Sequence, residues 1–323
     1  MRIMKSIALI LPYFGNLNRS GYFELFLESC KNNPTIDFLI YTDDRTQYDY
    51  SKNVKVKYTT FEGLKEKIQR LYEFPININH AYKLCDYKVA YGEIFADDIK
   101  NYDFWGYMDC DLIFGDIRKF LTDEKLGKYQ KLYTRGHLTL YRNTPENNAR
   151  YRKRIEGGYN TDYKRAFSSE GTCAIDEWGK AGGINRIFMK DNIPIYDELD
   201  FDDIKVEAIP FIPVQRCKNS PHSSMRNIYY AYDGKKLTRV CQFFDEIFHE
   251  EVLYVHLQKR KMENHVDDLR EFIIIPNSFE PFRELSFEEH NLLPKDKSKV
   301  EHIITRGMNA VKKKLPKIEK GNR

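Results

Sequence analysis

Apolar positions along the chain fall into short blocks whose spacing alternates between that of a strand and that of a helix. "SIALILPYF" (6–14) is apolar and rich in strand formers, "GYFELFLESCKNN" (21–33) has helical spacing, and "IDFLIYTDD" (36–44) is apolar again before two acids. That succession predicts a βαβ opening. "NVKVKYTTF" (53–61) adds an alternating strand, and "INHAYKLCDYKVAYGEIFADDI" (78–99) sets Ala81, Leu84, Val89 and Phe95 in a mainly helical pattern. The strand "YDFWGYMD" (102–109) and a short helix "IRKFLTDEKL" (117–126) follow. Such alternation predicts an α/β protein with a mixed, mostly parallel sheet and helices on its faces. Ligands of these sheets gather outside the carboxyl ends of strands. Both acid clusters, Asp43 with Asp44 and Asp109 with Asp111, stand at such ends.

The second half is less regular. "KYQKLYTR" (128–135) and "LTLYRNT" (138–144) read as strands, "ENNARYRKRIE" (146–156) as a helix, and "GTCAIDEWGKAGGINRIFMK" (171–190) as a polar turn entering a helix. "NIYYAYDGKKLTRV" (227–240) predicts a hairpin, because Asp233 and Gly234 suit a tight turn between strand-like flanks. "EEVLYVHLQ" (250–258) reads as one strand ending at His256. Beyond residue 262 the chain is charged apart from "FIIIPNSF" (272–279), which predicts a main domain over 1–262 and a small C-terminal appendage over 263–323. Near the end, Ile304, Met308, Val311 and Leu315 recur at roughly helical spacing beside Lys312, Lys313 and Lys314. Two readings stand: a peripheral contact with an anionic membrane surface, or a solvated terminus.

Composition narrows the class. Hydrophobic residues at 41% and charged residues at 31% describe a globular protein, and 52 basic against 48 acidic residues leave a mixed surface with a net charge of +4. Nucleic acid is therefore not an expected partner. No stretch approaches the ~20 apolar residues of a membrane span, and "MRIMKSIALILPYF" lacks a small-residue cleavage site, so it reads as a first strand. Six scattered cysteines without a CxxC pair argue against a zinc knuckle or a disulfide framework and make the cytoplasm the expected compartment. An aromatic share of 14% suits sugar or base stacking as well as strand cores.

An Asp-x-Asp triplet alone says little, since chance supplies such triplets in a chain this long, and a second one stands at Asp200 and Asp202. Position separates Asp109 and Asp111, which end an aromatic strand. Two carboxylates one residue apart can face a hard divalent cation and leave positions for phosphate oxygens; the alternative is a pair of helix-capping acids. Asp116, just before "IRKFL", is read as an N-cap.

"AYKLCDYKVAYGEIF", "DFWGYMDCDLIFGDIRKF", "GHLTLYRN", "DEWGKAGGINRIF" and "LYVHLQKRKM", in that order, resemble a bacterial family of glycosyltransferases of the GT-A fold, associated with capsular and lipopolysaccharide synthesis. The resemblance covers most of residues 5–262. It implies a metal-dependent transferase that moves a sugar from a nucleotide-sugar donor, expected to be UDP-linked, to a glycan or lipid-linked acceptor with Mn²⁺ or Mg²⁺ as cofactor. It places Pro12, Tyr13 and Phe14 in the nucleotide pocket and Asp43 near the base or ribose. It also makes Asp109, Asp111 and His256 the metal site. Lys83 is read either as one half of a surface pair with Asp86 or as a contact to the donor, and His137 as a donor-sugar contact or a turn residue. Asp176 and Glu177, beside Trp178, are the candidate catalytic carboxylates for the acceptor hydroxyl; acids in a first helical turn are the alternative. Two other functions stand beside the transferase: a sugar nucleotidyltransferase, and a catalytically silent glycan-binding protein.

Overall fold

A computed structural model describes residues 4–177, 182–214, 225–243 and 246–293. The βαβ opening folds as its hydrophobic pattern predicts. β1 (Ile7–Pro12), α1 (Phe23–Lys31), β2 (Ile36–Thr42) and β3 (Val54–Tyr58) follow in order, and the three strands run parallel. The chain then crosses back, and β4 (Phe104–Met108) pairs in parallel with the free side of β1. β5 (Leu112–Phe114) leaves this sheet, while β6 (Lys131–Leu132), β7 (Leu138–Arg142) and β8 (Ile195–Tyr196) extend it. The order is β3-β2-β1-β4-β7-β6-β8, with β7 antiparallel to both neighbours. The expected mixed, mostly parallel α/β sheet is the observed one.

The pleat sends alternate residues of the central strands to opposite faces. Leu9, Phe38 and Phe104 enter one core, whereas Ile10, Leu39, Trp105 and Tyr107 enter a second. Burial on both faces is why these blocks read as continuous apolar runs.

A second sheet is antiparallel for most of its width. It takes β10 (Arg226–Tyr232), β11 (Leu237–Phe243), β12 (Glu246–Val252), β14 (Glu263–Asn264), β15 (Phe272–Ile275) and β16 (Ser278–Pro281) in the order β12-β11-β10-β15-β16-β14. The β10–β11 hairpin turns at Gly234, whose φ of +86° favours glycine. β10 pairs with β15, so the expected boundary at residue 262 falls inside one hydrogen-bonded sheet. Tyr230, Tyr232, Phe272 and Phe279 pack into the same core as Leu9 and Phe38.

Several elements differ from expectation. Residues 78–99 form a 3-10 helix, Ala81–Ala90, and two single turns, Tyr91–Ile94 and Ala96–Ile99. Tyr82, Tyr87, Val89 and Tyr91 are weak helix formers, and Lys83, Asp86 and Tyr87 are buried by neighbours on more than one side. Residues 146–156 shrink to the turns Pro145–Asn148 and Arg150–Arg152, and buried Arg150 pairs with Glu146 within the segment and with Asp191 across from it. The block 250–258 is two strands, β12 and β13 (Tyr254–His256). Leu253 breaks them apart: its N–H donates to Asp200 O and its carbonyl accepts from Gly115 N. Among the described residues, no helix is long and apolar enough to cross a membrane. The basic C-terminal stripe lies outside the described residues.

Candidate functional site

β1 stands between β2 and β4, so the chain runs to one side of it first and to the other side later. The segments leaving the carboxyl ends of β1 and β4 diverge there and open a crevice. A cleft of about 1450 Å³ occupies that place, lined by Pro12, Tyr13 and Phe14 after β1 and by Asp109 and Asp111 after β4.

A three-stranded sheet completes the floor. β13 pairs antiparallel with β5 and parallel with β9 (Asp202–Asp203), which sets His256 opposite Leu112 on one side and Asp203 on the other. Leu257 N–H donates to Asp111 O and Ile204 N–H to His256 O, each at 3.0 Å. This register brings His256 Nε2 to 3.3 Å from Asp111 Oδ1 and His256 Nδ1 to 2.8 Å from Asp203 Oδ1. Gln258 Nε2 donates to the same Asp203 oxygen at 2.7 Å. An imidazole whose Nδ1 meets a carboxylate presents its Nε2 outward in a fixed orientation, the usual arrangement behind a metal-binding histidine.

One ligand atom each from Asp109, Asp111 and His256 can be chosen within 4.8 Å of one another. Asp111 is 2% exposed, and the group facing its Oδ1 is His256 Nε2 at 3.3 Å. Two carboxylates and one imidazole are a fitting donor set for a hard to borderline divalent cation. Burial opposes charge on His256, but Asp111 and Asp203 outweigh it and raise its pKa to about 10. Burial likewise opposes charge on Asp111, and the His256 imidazolium more than offsets this, holding the carboxyl below its usual range. A proton on Nε2 and a cation beside it are thus alternatives at one point. His137, Asp203 and His256 form an overlapping group. Burial, with His256, Lys88 and Arg135 nearby, drives His137 well below its usual pKa, so it is neutral. Its Nδ1 lies 2.8 Å from Tyr254 Oη, while its Nε2, 3.9 Å from Asp203 Oδ2, has no hydrogen-bond partner.

The opposite wall carries the acid pair. Asp176 is 1% exposed, lines the cleft, and has no hydrogen-bond partner at either carboxylate oxygen. Burial raises its pKa to about 8, against the pull of Lys88 and with help from Glu177. Glu177 opens to the cleft, and its carboxyl is also raised, chiefly by burial. It lies so close over Gly136 that a Cβ there would meet Glu177 Oε1 at 2.0 Å. Lys88 Nζ donates to Asp109 Oδ1 and Gly136 O at 2.7 Å each, and its charge acts on Asp176 and Glu177.

Other expected residues sit elsewhere. Asp43 is exposed and accepts Gly15 N–H at 2.7 Å, and Asp44 accepts Leu17 N–H at 2.9 Å; both carboxylates tie down the loop after β1, and neither lines the cleft. Lys83 is neither on the surface nor at the cleft. It is fully buried, its Nζ held by Asp86, Ala166, Ser169 and Gly171. Asp116 caps the helix Ile117–Phe120 by accepting from Arg118 N and Lys119 N, as its position predicts. Tyr230 and Tyr232 of the expected hairpin are core residues. Trp178 lies outside the described residues.

Sequence reasoning assigned no role to Asp203, Gln258 or Lys259. Gln258 and Lys259 have φ of 50° and 58°, a sparsely populated conformation for side-chain-bearing residues, and both line the cleft just after His256. No periodicity signals such backbone; the one available hint was a run of polar and basic residues directly after a strand that ends in histidine.

The family DUF6625, described as a family of unknown function, matches residues 9–283. None of the curated proteins matches the chain. Among solved structures, the chain is similar to the galactosyltransferase LgtC in complex with donor and acceptor sugar analogs. Identity is 12%, 62% of this chain and 76% of that chain are covered, and the TM-score is 0.34. An active-site mutant of LgtC is similar at 11% identity, with 62% and 76% covered and a TM-score of 0.32.

Proposed function

We infer that this chain, which belongs to the family DUF6625, is a metal-dependent glycosyltransferase that moves a sugar from a nucleotide-diphosphate donor to a glycan or lipid-linked acceptor. The observation that carries the reading is the meeting of Asp109, Asp111 and His256 on the floor of a cleft of about 1450 Å³, where the buried Asp111 Oδ1 lies 3.3 Å from His256 Nε2. The motif resemblance drawn from the sequence supplies the reaction class.

Asp109, Asp111 and His256 would hold the cation. Bound there, Mn²⁺ or Mg²⁺ stabilises the charge that grows on the departing diphosphate. Lys88 fixes the Asp109 carboxylate by a 2.7 Å bond, and Asp203 fixes the His256 ring. Pro12, Tyr13 and Phe14 form the wall for the nucleotide, while Arg19 and Lys259 on the cleft lining offer positive charge to phosphates. His137 presents its free Nε2 to the donor sugar. Glu177, open to the cleft, takes the proton of the acceptor hydroxyl. Asp176 keeps its own proton near neutral pH, because its pKa is about 8, and can donate a hydrogen bond to a sugar hydroxyl.

The nucleotidyltransferase reading fits less well. Such an enzyme needs free main-chain amides after the first strand to cradle phosphates, and here Gly15 and Leu17 N–H are engaged by Asp43 and Asp44. The test is a screen of nucleotide sugars for Mn²⁺-stimulated hydrolysis, repeated with Asp111→Asn. Turnover by the unsubstituted protein that disappears in the variant supports the reading; equal turnover in both contradicts it.

A further inference from the structure

Lys83 and Asp86 are both completely buried, although taking two charges out of water costs several kcal/mol per ion before their attraction offsets it. The pair touches neither the cleft nor the surface, and its bonds run in one direction. Lys83 Nζ shares its three N–H groups among Asp86 Oδ2 at 2.6 Å, Gly171 O at 2.6 Å, Ala166 O at 2.8 Å and Ser169 Oγ at 3.1 Å. Asp86 accepts Cys173 N–H at 2.9 Å and Ala174 N–H at 2.7 Å. Every one of the contacts outside the pair falls within residues 166–174, directly before Asp176 and Glu177.

The loop needs such a hold. Ala174 has a φ of 48°, a left-handed conformation that costs an L-residue roughly 1 kcal/mol or more, and its N–H is one of the two that Asp86 accepts. The far side is held separately. Ile184 N–H donates to Ile175 O at 2.9 Å, and Gly183, with φ of 54°, permits the approach because a Cβ there would lie 2.2 Å from Ile175 O. Asp176 and Glu177 therefore hang from a strained loop gripped on one side by a buried ion pair and on the other by a helix start.

We propose that Lys83 and Asp86 are positioning residues, a buried clasp that sets the loop 171–177 so that its two carboxylates face the cleft in a reactive arrangement. The proposal rests on the transferase reading for its kinetic consequence, but not for its structural one. A pair that served stability alone could be exchanged for apolar residues of similar size with little further effect. A clasp that aims carboxylates could not, since a displacement of about 1 Å at a reacting group can cost on the order of 100-fold in rate.

The test is the double variant Lys83→Met/Asp86→Leu in the full chain, which removes both charges together. It is compared with the unsubstituted protein by circular dichroism, amide hydrogen exchange, Mn²⁺-dependent binding of nucleoside diphosphates, and transfer kinetics. The expected result is a folded protein with nucleotide affinity within about three-fold, kcat lower by about 100-fold, and faster exchange at the amides of Cys173 and Ala174. If the double variant does not fold, Lys83→Met/Asp86→Asn keeps an acceptor for those amides and should lose about ten-fold in kcat. A kcat within about three-fold of the original, or nucleotide affinity falling in step with kcat, overturns the positioning role. If the unsubstituted protein transfers no sugar, the functional reading fails by itself. The exchange data then decide the clasp, which is lost if Cys173 and Ala174 amides are no less protected in the variant.

Discussion

The two walls of the cleft are built on opposite principles. The floor around Asp109, Asp111 and His256 hangs on strand ends, and its polar atoms are mostly paired: Asp109 with Lys88, and His256 with Asp203. The facing wall hangs on a loop with left-handed backbone at Ala174, and its buried acid, Asp176, has no partner at either oxygen. Strand register fixes His256 opposite Leu112 and Asp203, so the first arrangement suits coordination, where geometry must already be right. The second keeps an acid at a pKa of about 8, near the pH at which it can exchange a proton, which suits group chemistry on a bound substrate. In the proposed transferase the first wall would bind and the second would react, with the Lys88 charge acting on Asp109 and Asp176 alike.

That division is broken most directly at Asp111. Asp111→Asn should remove several kcal/mol of charge stabilisation, or about three orders of magnitude in rate, together with Mn²⁺-dependent nucleotide binding. Calorimetry and a transfer assay read both. Glu177→Gln should cost about 100-fold in transfer yet leave nucleotide binding intact, and parallel loss of the two would erase the distinction between the walls. Asp176→Asn has a signature in stability. Native Asp176 holds its proton up to about pH 8, whereas an unfolded aspartate releases it near ~3.9. The folded state thus binds more protons between those values, and the stability this contributes is complete below pH ~4 and lost as pH rises to ~8. Thermal melts from pH 4 to 8 should show that decline in the unsubstituted protein and a flatter profile in Asp176→Asn.

A smaller effect is expected one step behind the floor. Asp203→Asn should weaken Mn²⁺ affinity by about 10- to 100-fold through loss of the fixed His256 ring, measurable by electron paramagnetic resonance titration. Smallest is Asp43→Asn, whose carboxylate holds Gly15 N–H and does not line the cleft. Nucleotide affinity should change by no more than about three-fold; a larger drop in calorimetry would restore the base or ribose contact implied by the motif resemblance.

What the sequence disclosed follows the same division. β1, β2 and β4 could be read because both of their faces are buried, β3 from its alternation and α1 from its helical spacing, and the cleft position of Asp109 and Asp111 follows from where strand ends open. The N-cap at Asp116 was legible for a local reason, since capping is decided within three residues. Lys83 was not legible. A Lys and an Asp three apart look like an exposed helical pair, and only tertiary burial turns them into an anchor for residues 166–174. Asp203 was hidden for another reason. It adjoins the second Asp-x-Asp triplet, Asp200 and Asp202, and its bond to His256 depends on β9 pairing with β13, a contact across more than fifty positions of sequence. The block ending at His256 was read as one strand because nothing local marks Leu253 as the point where the chain changes sheets.

The account stands on a cation held by Asp109, Asp111 and His256 that in turn holds a nucleoside diphosphate. Isothermal titration of the purified chain with a panel of nucleoside diphosphates, with and without Mn²⁺ and in buffers of different ionisation enthalpy, tests it most directly. The predicted result is nucleotide binding that requires Mn²⁺, with about one proton released as the ion displaces it from His256, whose pKa is about 10 without metal. Equal nucleotide affinity in chelator, or Mn²⁺ uptake that is unchanged in Asp111→Asn, would contradict it.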